Sequence, residues 1–423
     1  MKKKLIVFFL TIYSFSSFSQ QKIVFDIKSR GAKKTKTSEI NKIIKIKKGT
    51  LLDSIILQKD IIRLKRLPAI SHAYFQVFQS HKNQYNVFIN IEENFTIIPE
   101  FNFWTTTNNR TAYKVGLYDY NFLGRNIAFG GFYQNNGFNS YGVNFTAPTL
   151  FSKNWGLAFN HQNWKSEEPL YFNDKSANYT YNNVSYEALA LHQINFKNNL
   201  QFGINYFKEK YKYITGDTAP NVPQLLNVNK WLFKTVYTYD NLDYYFQYIN
   251  GFKSQLYGQY VISENKHQED FLIFWNDFFY YKRIGKKGNW ANRLRVGLSS
   301  NVNSPFAPFA LDNNVNIRGV GILVDRGTGV AVLNSEYRHT VYDKKWLAIQ
   351  TNVFTDAGTW REPGGQLSDL FKQEKLRVFS GIGLRFISKK IYNATFRIDY
   401  GFKVYDNRNT TKGGLVFGLG QYF

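Results

Sequence analysis

Tyr392-Asn393-Ala394-Thr395-Phe396-Arg397-Ile398-Asp399-Tyr400 alternates without a break. Successive side chains of a strand point to opposite faces, so Tyr392, Ala394, Phe396, Ile398 and Tyr400 share one side. Asn393, Thr395, Arg397 and Asp399 share the other. A soluble sandwich also alternates. Here, however, full charges stand opposite an entirely apolar face, which suits a strand with lipid on one side and a wet interior on the other. Leu200, Phe202, Ile204 and Tyr206 repeat the pattern against Gln201, Gly203 and Asn205. The stretch therefore predicts a membrane β-barrel.

Composition agrees. The chain has 423 residues, 43% hydrophobic, with a mean hydropathy of -0.39. That is too polar for a bundle of membrane helices, and the length allows two structural units. Phe, Tyr and Trp number 39, 30 and 8. Such an excess suits the aromatic girdles of a barrel. The net charge of +24 raises nucleic acid or anionic lipid as partners. The lysines are scattered and many fall in turns, which favours outer-membrane lipid over a nucleic-acid groove. With no cysteine there is no disulfide, thiolate chemistry or lipid-acylation site, and six histidines alone make a poor structural zinc site.

Residues 1–19 read as a secretory signal peptide. Lys2-Lys3-Lys4 is the charged start, Leu5 to Tyr13 the apolar centre, and Ser17-Phe18-Ser19 the small-residue cleavage site. No later segment supplies the ~20 apolar residues of a spanning helix, so membrane embedding is expected through strands.

Residues 21–93 predict a small α/β unit in the order strand, helix, helix, strand, strand. Ile23 to Ile27 is the first strand, and Ser38 is expected to cap a helix carrying Ile40, Ile43 and Ile44. Asp53 or Ser54 starts a helix with Leu57, Ile61 and Leu64 on one stripe, and Pro68 stops it. From Phe95 to Phe423 period two takes over. About sixteen segments can be counted, an even number as in a closed antiparallel barrel. Connections alternate in length. Phe122 to Arg125 and Asp343 to Lys345 are short, whereas Glu209 to Asn229, Asn301 to Thr328 and Gly358 to Lys375 are long.

The long segment from Asn301 carries Asn316-Ile317-Arg318-Gly319-Val320-Gly321. In the two strands after it, Glu336 shares a face with Asn334 and Arg338, and Asp356 with Gln350 and Asn352. Both carboxylates are expected to point into the lumen. A guanidinium can bond two carboxylates through its planar fork, which an ammonium cannot do. Arg318 is therefore expected inside the barrel on Glu336 and Asp356, with Gly319 and Gly321 letting the backbone turn tightly.

Two stretches resemble known families. Lys48-Gly49, Ile61-Ile62-Arg63-Leu64 and Phe88-Ile89-Asn90-Ile91-Glu92-Glu93 resemble a POTRA domain, the periplasmic module of outer-membrane assembly factors, in a single copy. Ile317-Arg318-Gly319-Val320, with Glu336 and Asp356, resembles the BamA/TamA superfamily of outer-membrane assembly and translocation barrels. That family carries a Val/Ile-Arg-Gly-Phe/Tyr motif in its sixth external loop, with the Arg held by acidic residues on barrel strands twelve and thirteen. Val320 stands where the family has an aromatic residue. The likeness runs through Gly381-Ile382-Gly383-Leu384-Arg385 to Phe423. Leu415, Phe417, Leu419 and Phe423 share a face in the last predicted strand and resemble the C-terminal strand signal of outer-membrane clients, with Gln421 interrupting that face.

The resemblance implies a bacterial outer membrane location with the POTRA domain in the periplasm. It implies assembly, insertion or translocation of unfolded or extended outer-membrane or secreted proteins, with accessory subunits in the periplasm or anchored as lipoproteins. One alternative is a two-partner-type secretion pore for a dedicated exoprotein. Such pores usually carry two POTRA units and a plug helix, for which a first strand directly after the signal leaves no room. The other is a passive channel or structural barrel. The first barrel strand, near Ile97 to Thr106, contains Pro99 and runs into polar Thr105 to Asn109, which suits a poorly paired edge. No phosphate loop, nucleophile elbow or His-Glu-x-x-His motif is present, so no catalytic residue, metal site, cofactor or enzymatic activity is expected.

Overall fold

In a computed structural model the described residues are 21–105, 111–172, 175–220, 222–264, 269–301, 307–311, 316–320, 325–392, 394–407 and 413–423. The signal-like segment 1–19, Gly321 and most of the Thr105–Asn109 run lie outside them.

The N-terminal unit comprises β1 (Ile23–Arg30), α1 (Thr37–Ile43), α2 (Ser54–Lys65), β2 (Ile70–His81) and β3 (Gln84–Glu93). The Asp53 carboxylate accepts from the N–H groups of Ile55 and Ile56, which satisfies the open start of α2. Ser38 does not cap α1. That helix starts at Thr37 with Lys36 at its cap and no side-chain cap bond. The sheet order is β1-β3-β2, so β1 and β2 are both edges. Ile40, Leu57 and Leu64 from the helices meet Val24, Val87 and Ile89 from the sheet in one fully buried core. Asp60 is buried among them but accepts from the N–H groups of Lys45 and Ile46 and pairs with Arg63, as a buried charge must.

The rest of the chain forms one antiparallel sheet of sixteen strands. They are β4 (Ile97–Thr105), β5 (Thr111–Phe122), β6 (Ile127–Asn135), β7 (Asn139–Ala147), β8 (Trp155–Phe172), β9 (Lys175–Gln193), β10 (Asn198–Gly216), β11 (Leu225–Tyr245), β12 (Tyr248–Ser263), β13 (Phe271–Ile284) and β14 (Gly288–Ser299). A small hairpin, β15 (Phe309–Leu311) and β16 (Asp325–Gly327), interrupts the series. The sheet resumes with β17 (Gly329–Asp343), β18 (Leu347–Arg361), β19 (Arg377–Ser388), β20 (Thr395–Tyr405) and β21 (Gly413–Leu419). Burial is inverted relative to the small unit. Leu117, Phe233, Val353 and Ile382 are exposed on the outside, while Arg318, Arg338 and Arg385 are fully buried within. This is the lipid-facing exterior and polar interior of a membrane barrel. The cylinder is nearly closed. Its two ends, β4 and β21, lie side by side, with no hydrogen-bonded ladder joining them among the described residues. Just before β4, Phe95 donates to Lys390 and accepts from Tyr392, so the start of β4 is tied to the turn between β19 and β20.

Strand lengths differ from the expectation most at Glu209–Asn229. Most of that span is strand: β10 continues to Gly216 and β11 already begins at Leu225. The outward lysines Lys208, Lys210 and Lys212 conceal the alternation, which Glu209, Tyr211 and Tyr213 continue on the inner face. At ~3.4 Å per residue, the 21 residues of β11 extend roughly 70 Å along the strand. That exceeds the ~25 Å apolar band of such barrels even when the strand is tilted. The wall is therefore tallest over β8 to β11 and projects away from the N-terminal unit.

That unit lies across the opposite end. Asn121 donates to Thr35, the Lys36 N–H donates to Gly124, and Thr149 donates to Glu39. Arg66 donates to the carbonyls of Phe196, Asp240 and Leu242 and pairs with Asp240 at 3.2 Å. His72 stacks on Phe246. Each of these barrel residues lies in or beside a short turn, so among the described residues the unit touches the short-turn end.

Candidate functional site

Arg318 sits inside the barrel, on the segment between β14 and β17, with nothing of its side chain exposed. Its Nε and Nη2 donate to the two oxygens of Asp356 at 2.8 and 2.9 Å, and its backbone N–H adds a third bond at 3.0 Å. Nη1 donates to Glu336 at 2.6 Å. The strand register explains the fork. Asn334 is opposite Asp356 and Glu336 is opposite Phe354, so the two carboxylates lie one inward step apart on β17 and β18. The Phe354 ring covers one side of the guanidinium at 3.6 Å, and the Tyr422 ring lies 4.4 Å from it.

The constellation is larger than the three residues singled out by motif. Glu336 also accepts from Arg385 at 2.8 Å and from Arg338 Nε. Asp399 on β20 lies 3.7 Å from Arg318 and accepts from Arg385 and Arg397. Four guanidinium groups thus surround three carboxylates in the lumen. Asn334 links Asp356 to the Asn316 carbonyl, and Arg293 bonds the Asn316 side chain. Isolated buried charges are expensive, so each member depends on the others. Alternation marks Arg397 and Asp399 as inward charges but does not connect them to Arg318. The available signal was their pairing: Arg385 opposes Arg397 and Gly383 opposes Asp399. Two arginines on one rung of a lumen wall call for an acid nearby.

Gly319 adopts φ +90°, and a Cβ there would lie 2.6 Å from the Gly401 carbonyl oxygen. A Cβ on Gly401 would in turn lie 2.4 Å from the Arg318 carbonyl oxygen. The loop backbone therefore lies directly on the β20 backbone, which requires glycine on both sides. Gly358 makes room in the same way for Ile317 and Leu311. Val320, the departure from the family motif, is fully buried in an apolar lumen cluster with Leu311, Ile317, Trp360 and Phe379. Beyond Asn316 and Phe309 the lumen opens into a cavity of about 440 Å³, with the buried Glu209–Lys230 pair in its wall.

The C-terminal residues divide. Phe417 and Leu419 are exposed on the outer face of β21 with Leu415. Phe423 does not share that face. β21 ends at Leu419, Gly420 takes φ +88°, and the chain turns inward. Tyr422 reaches Arg318, Phe423 packs beside Leu242 and Tyr281, and Gln421 accepts from Arg385. Gln421 thus belongs to the charge network and does not break a lipid-facing stripe.

Residues 121–423 match the model of the Omp85 superfamily domain. Among solved structures, the chain is similar to BamA from Haemophilus ducreyi lacking POTRA domains 1-3, at 16% identity and a TM-score of 0.56, over 94% of this chain and 84% of that one. It is similar to CdiB from Acinetobacter baumannii, at 11% identity and a TM-score of 0.57, over 94% and 73%. It is also similar to CdiB from Escherichia coli, at 9% identity and a TM-score of 0.60, over 94% and 75%. At these identities the likeness is one of fold. No curated protein sequence matches the chain.

Proposed function

The chain belongs to the Omp85 superfamily of outer-membrane β-barrels, and from that membership we propose that it is an assembly or translocation factor that passes other polypeptides into or across the outer membrane. The observation that carries this is the seam between β4 and β21, joined by no ladder among the described residues and placed beside a small domain in which β2 is an edge strand. A strand edge binds an extended chain through backbone hydrogen bonds and is tolerant of sequence. The clients are unfolded or extended outer-membrane or secreted proteins. They meet the free edge of β2 and then the seam.

Residues 21–93 act as a single POTRA domain in the periplasm, which makes the short turns periplasmic and the long connections external. The coverage of the BamA match supports this, because residues 95–423 are too few to supply 94% of the chain. Arg318 then belongs to the sixth external loop, and its carboxylate partners hold that loop in the lumen during the work of the barrel. The chain performs no reaction of its own, and energy comes from client folding and local bilayer distortion.

The likeness to CdiB favours a second function, a two-partner-type pore for one dedicated exoprotein. Depletion of the protein separates the two. Broad loss of outer-membrane proteins from the membrane proteome is expected for an assembly factor, and loss of one secreted protein for a dedicated pore. An unchanged proteome with altered solute permeability would leave only a passive channel. A photo-crosslinking residue at Gln79 on β2 is expected to capture clients in the first two cases.

A further inference from the structure

A line of aromatic rings crosses the outside of the barrel where its wall is tallest. His161 on β8 is opposite Tyr186 on β9, Tyr186 is opposite Tyr206 on β10, and Tyr206 is opposite Trp231 on β11. His161 stacks on Tyr186 at 4.5 Å, and Tyr206 meets Trp231 at 4.7 Å. On the side nearer the small domain, the next outward rung is Phe159, Ala188, Ile204 and Phe233. On the far side, two rungs out, it is Lys165, Asn182, Lys210 and Asn227. The rung between, directly beyond the rings, is Asn163, Val184, Lys208 and Asn229, so the apolar surface thins to mostly polar residues across four adjacent strands past the aromatic line. Aromatic rings of this kind settle at the boundary between hydrocarbon and headgroups, so the residues just beyond them lie at headgroup depth.

Lys208, Lys210 and Lys212 continue outward from Tyr206 on this face and are all exposed. Alternate residues of a strand are about 7 Å apart, and Lys165 is two strands from Lys210, or about 10 Å. None of the four lysines has a carboxylate partner among the described residues. Glu167 is the one acidic residue in these rungs. The Lys208 ammonium lies 5.9 Å from the centre of the Tyr206 ring, so it stays close to the aromatic line. Four lysines against one carboxylate leave a local excess of positive charge, and an anionic layer facing them offsets their mutual repulsion.

We propose that this face binds the phosphate groups of anionic lipid in the leaflet at the far end of the barrel. The lysine stems lie against the wall and the ammonium groups reach the phosphates. The anchor fixes the depth of the tall wall and concentrates anionic lipid beside β8 to β11. It does not depend on which polypeptide the barrel handles.

The test uses the full chain in nanodiscs of phosphatidylcholine with a minor fraction of phosphatidylglycerol. Lipid retained after extraction into detergent is counted by native mass spectrometry. The unaltered protein is expected to enrich phosphatidylglycerol. The K208Q/K210Q/K212Q variant is expected to lose that enrichment on the order of tenfold or more, given the pull of an anionic surface on each lysine. The K208R/K210R/K212R variant is expected to keep it. Heat-modifiable gel mobility establishes that all three proteins are folded. Equal enrichment in the glutamine variant would overturn the proposal. Equal retention of both lipids by the unaltered protein, with binding of inorganic phosphate, would assign the row to a soluble anion and also overturn it.

Discussion

The small N-terminal unit and the barrel use the same alternation in opposite senses. In the unit, Leu57 and Leu64 are buried and lysines cover the surface. In the barrel, Phe233 and Leu117 are outside, and the largest fully buried side chains are Arg318, Arg338 and Arg385. The interior of the first is held by loss of water from apolar area. The part of the second around Arg318 is held by mutual satisfaction of charges that no solvent reaches. An apolar core tolerates a lost methyl group in proportion to the cavity it leaves. A charge network fails as a unit when one member is removed.

Removing Arg318 tests that contrast most sharply. Arg318→Ala leaves Asp356 without the fork that binds it and Glu336 with one cation fewer. A loss of about 3–5 kcal/mol is expected locally, read as a lowered urea midpoint for barrel unfolding. The barrel is expected to remain inserted while client handling falls, and full activity in this variant would remove the functional role of the contact. Leu64→Ala breaks the other kind of interior. It is expected to cost about 2–5 kcal/mol in the small unit, detected by hydrogen exchange over α2 and β3 with the strands from β17 to β20 unchanged.

Gly401→Ala sharpens the comparison without touching a charge. Its new methyl group meets the Arg318 carbonyl, and overpacking of about 1–3 kcal/mol is expected. Protease accessibility of the 301–328 segment should rise while the outer face stays intact. The smallest effect belongs to Glu93, half-buried at the junction of the small unit with the barrel. Its carboxylate accepts from the N–H groups of Lys33, Lys34 and Thr35 at 2.8, 2.9 and 2.7 Å. Burial acts to raise its pKa, but the Thr35 side chain and these N–H groups prevail and hold it below the ordinary 4.5. Because the folded state then binds the proton less readily than the unfolded one, the contribution is full above about pH 4.5. It is lost as pH falls below that value. A thermal midpoint followed from pH 7 to pH 3 should show this slope, and Glu93→Gln should flatten it.

Much of this was legible in the sequence because alternation is a local property. Phe396, Ile398 and Tyr400 announce an outer face with no knowledge of its neighbours, but the strand begins only at Thr395, and Tyr392, expected on that face, lies before it and packs on Tyr120. The fork of Arg318 was legible because Glu336 and Asp356 share the inner face on successive strands and because Ile317-Arg318-Gly319-Val320 resembles a family motif whose Arg meets such acids. What was hidden depends on distance along the chain. Asp399 lies on β20 and Gly401 two residues later, and only the wrapped sheet brings them to Arg318 and Gly319. Phe423 was placed on the lipid face because Leu415, Phe417 and Leu419 set a parity. Gly420, at φ +88°, breaks it with a turn that parity cannot express. The lysines of β10 hid the outer end of that strand, from Glu209 to Gly216, because charge on an outer face suggests a loop.

The bonds of Phe95 to Lys390 and Tyr392 carry a mechanical consequence. They pin one end of the boundary between β4 and β21, while nothing comparable ties the other end among the described residues. Any parting of those two staves must then pivot about Phe95, opening as a wedge that is widest far from the small unit.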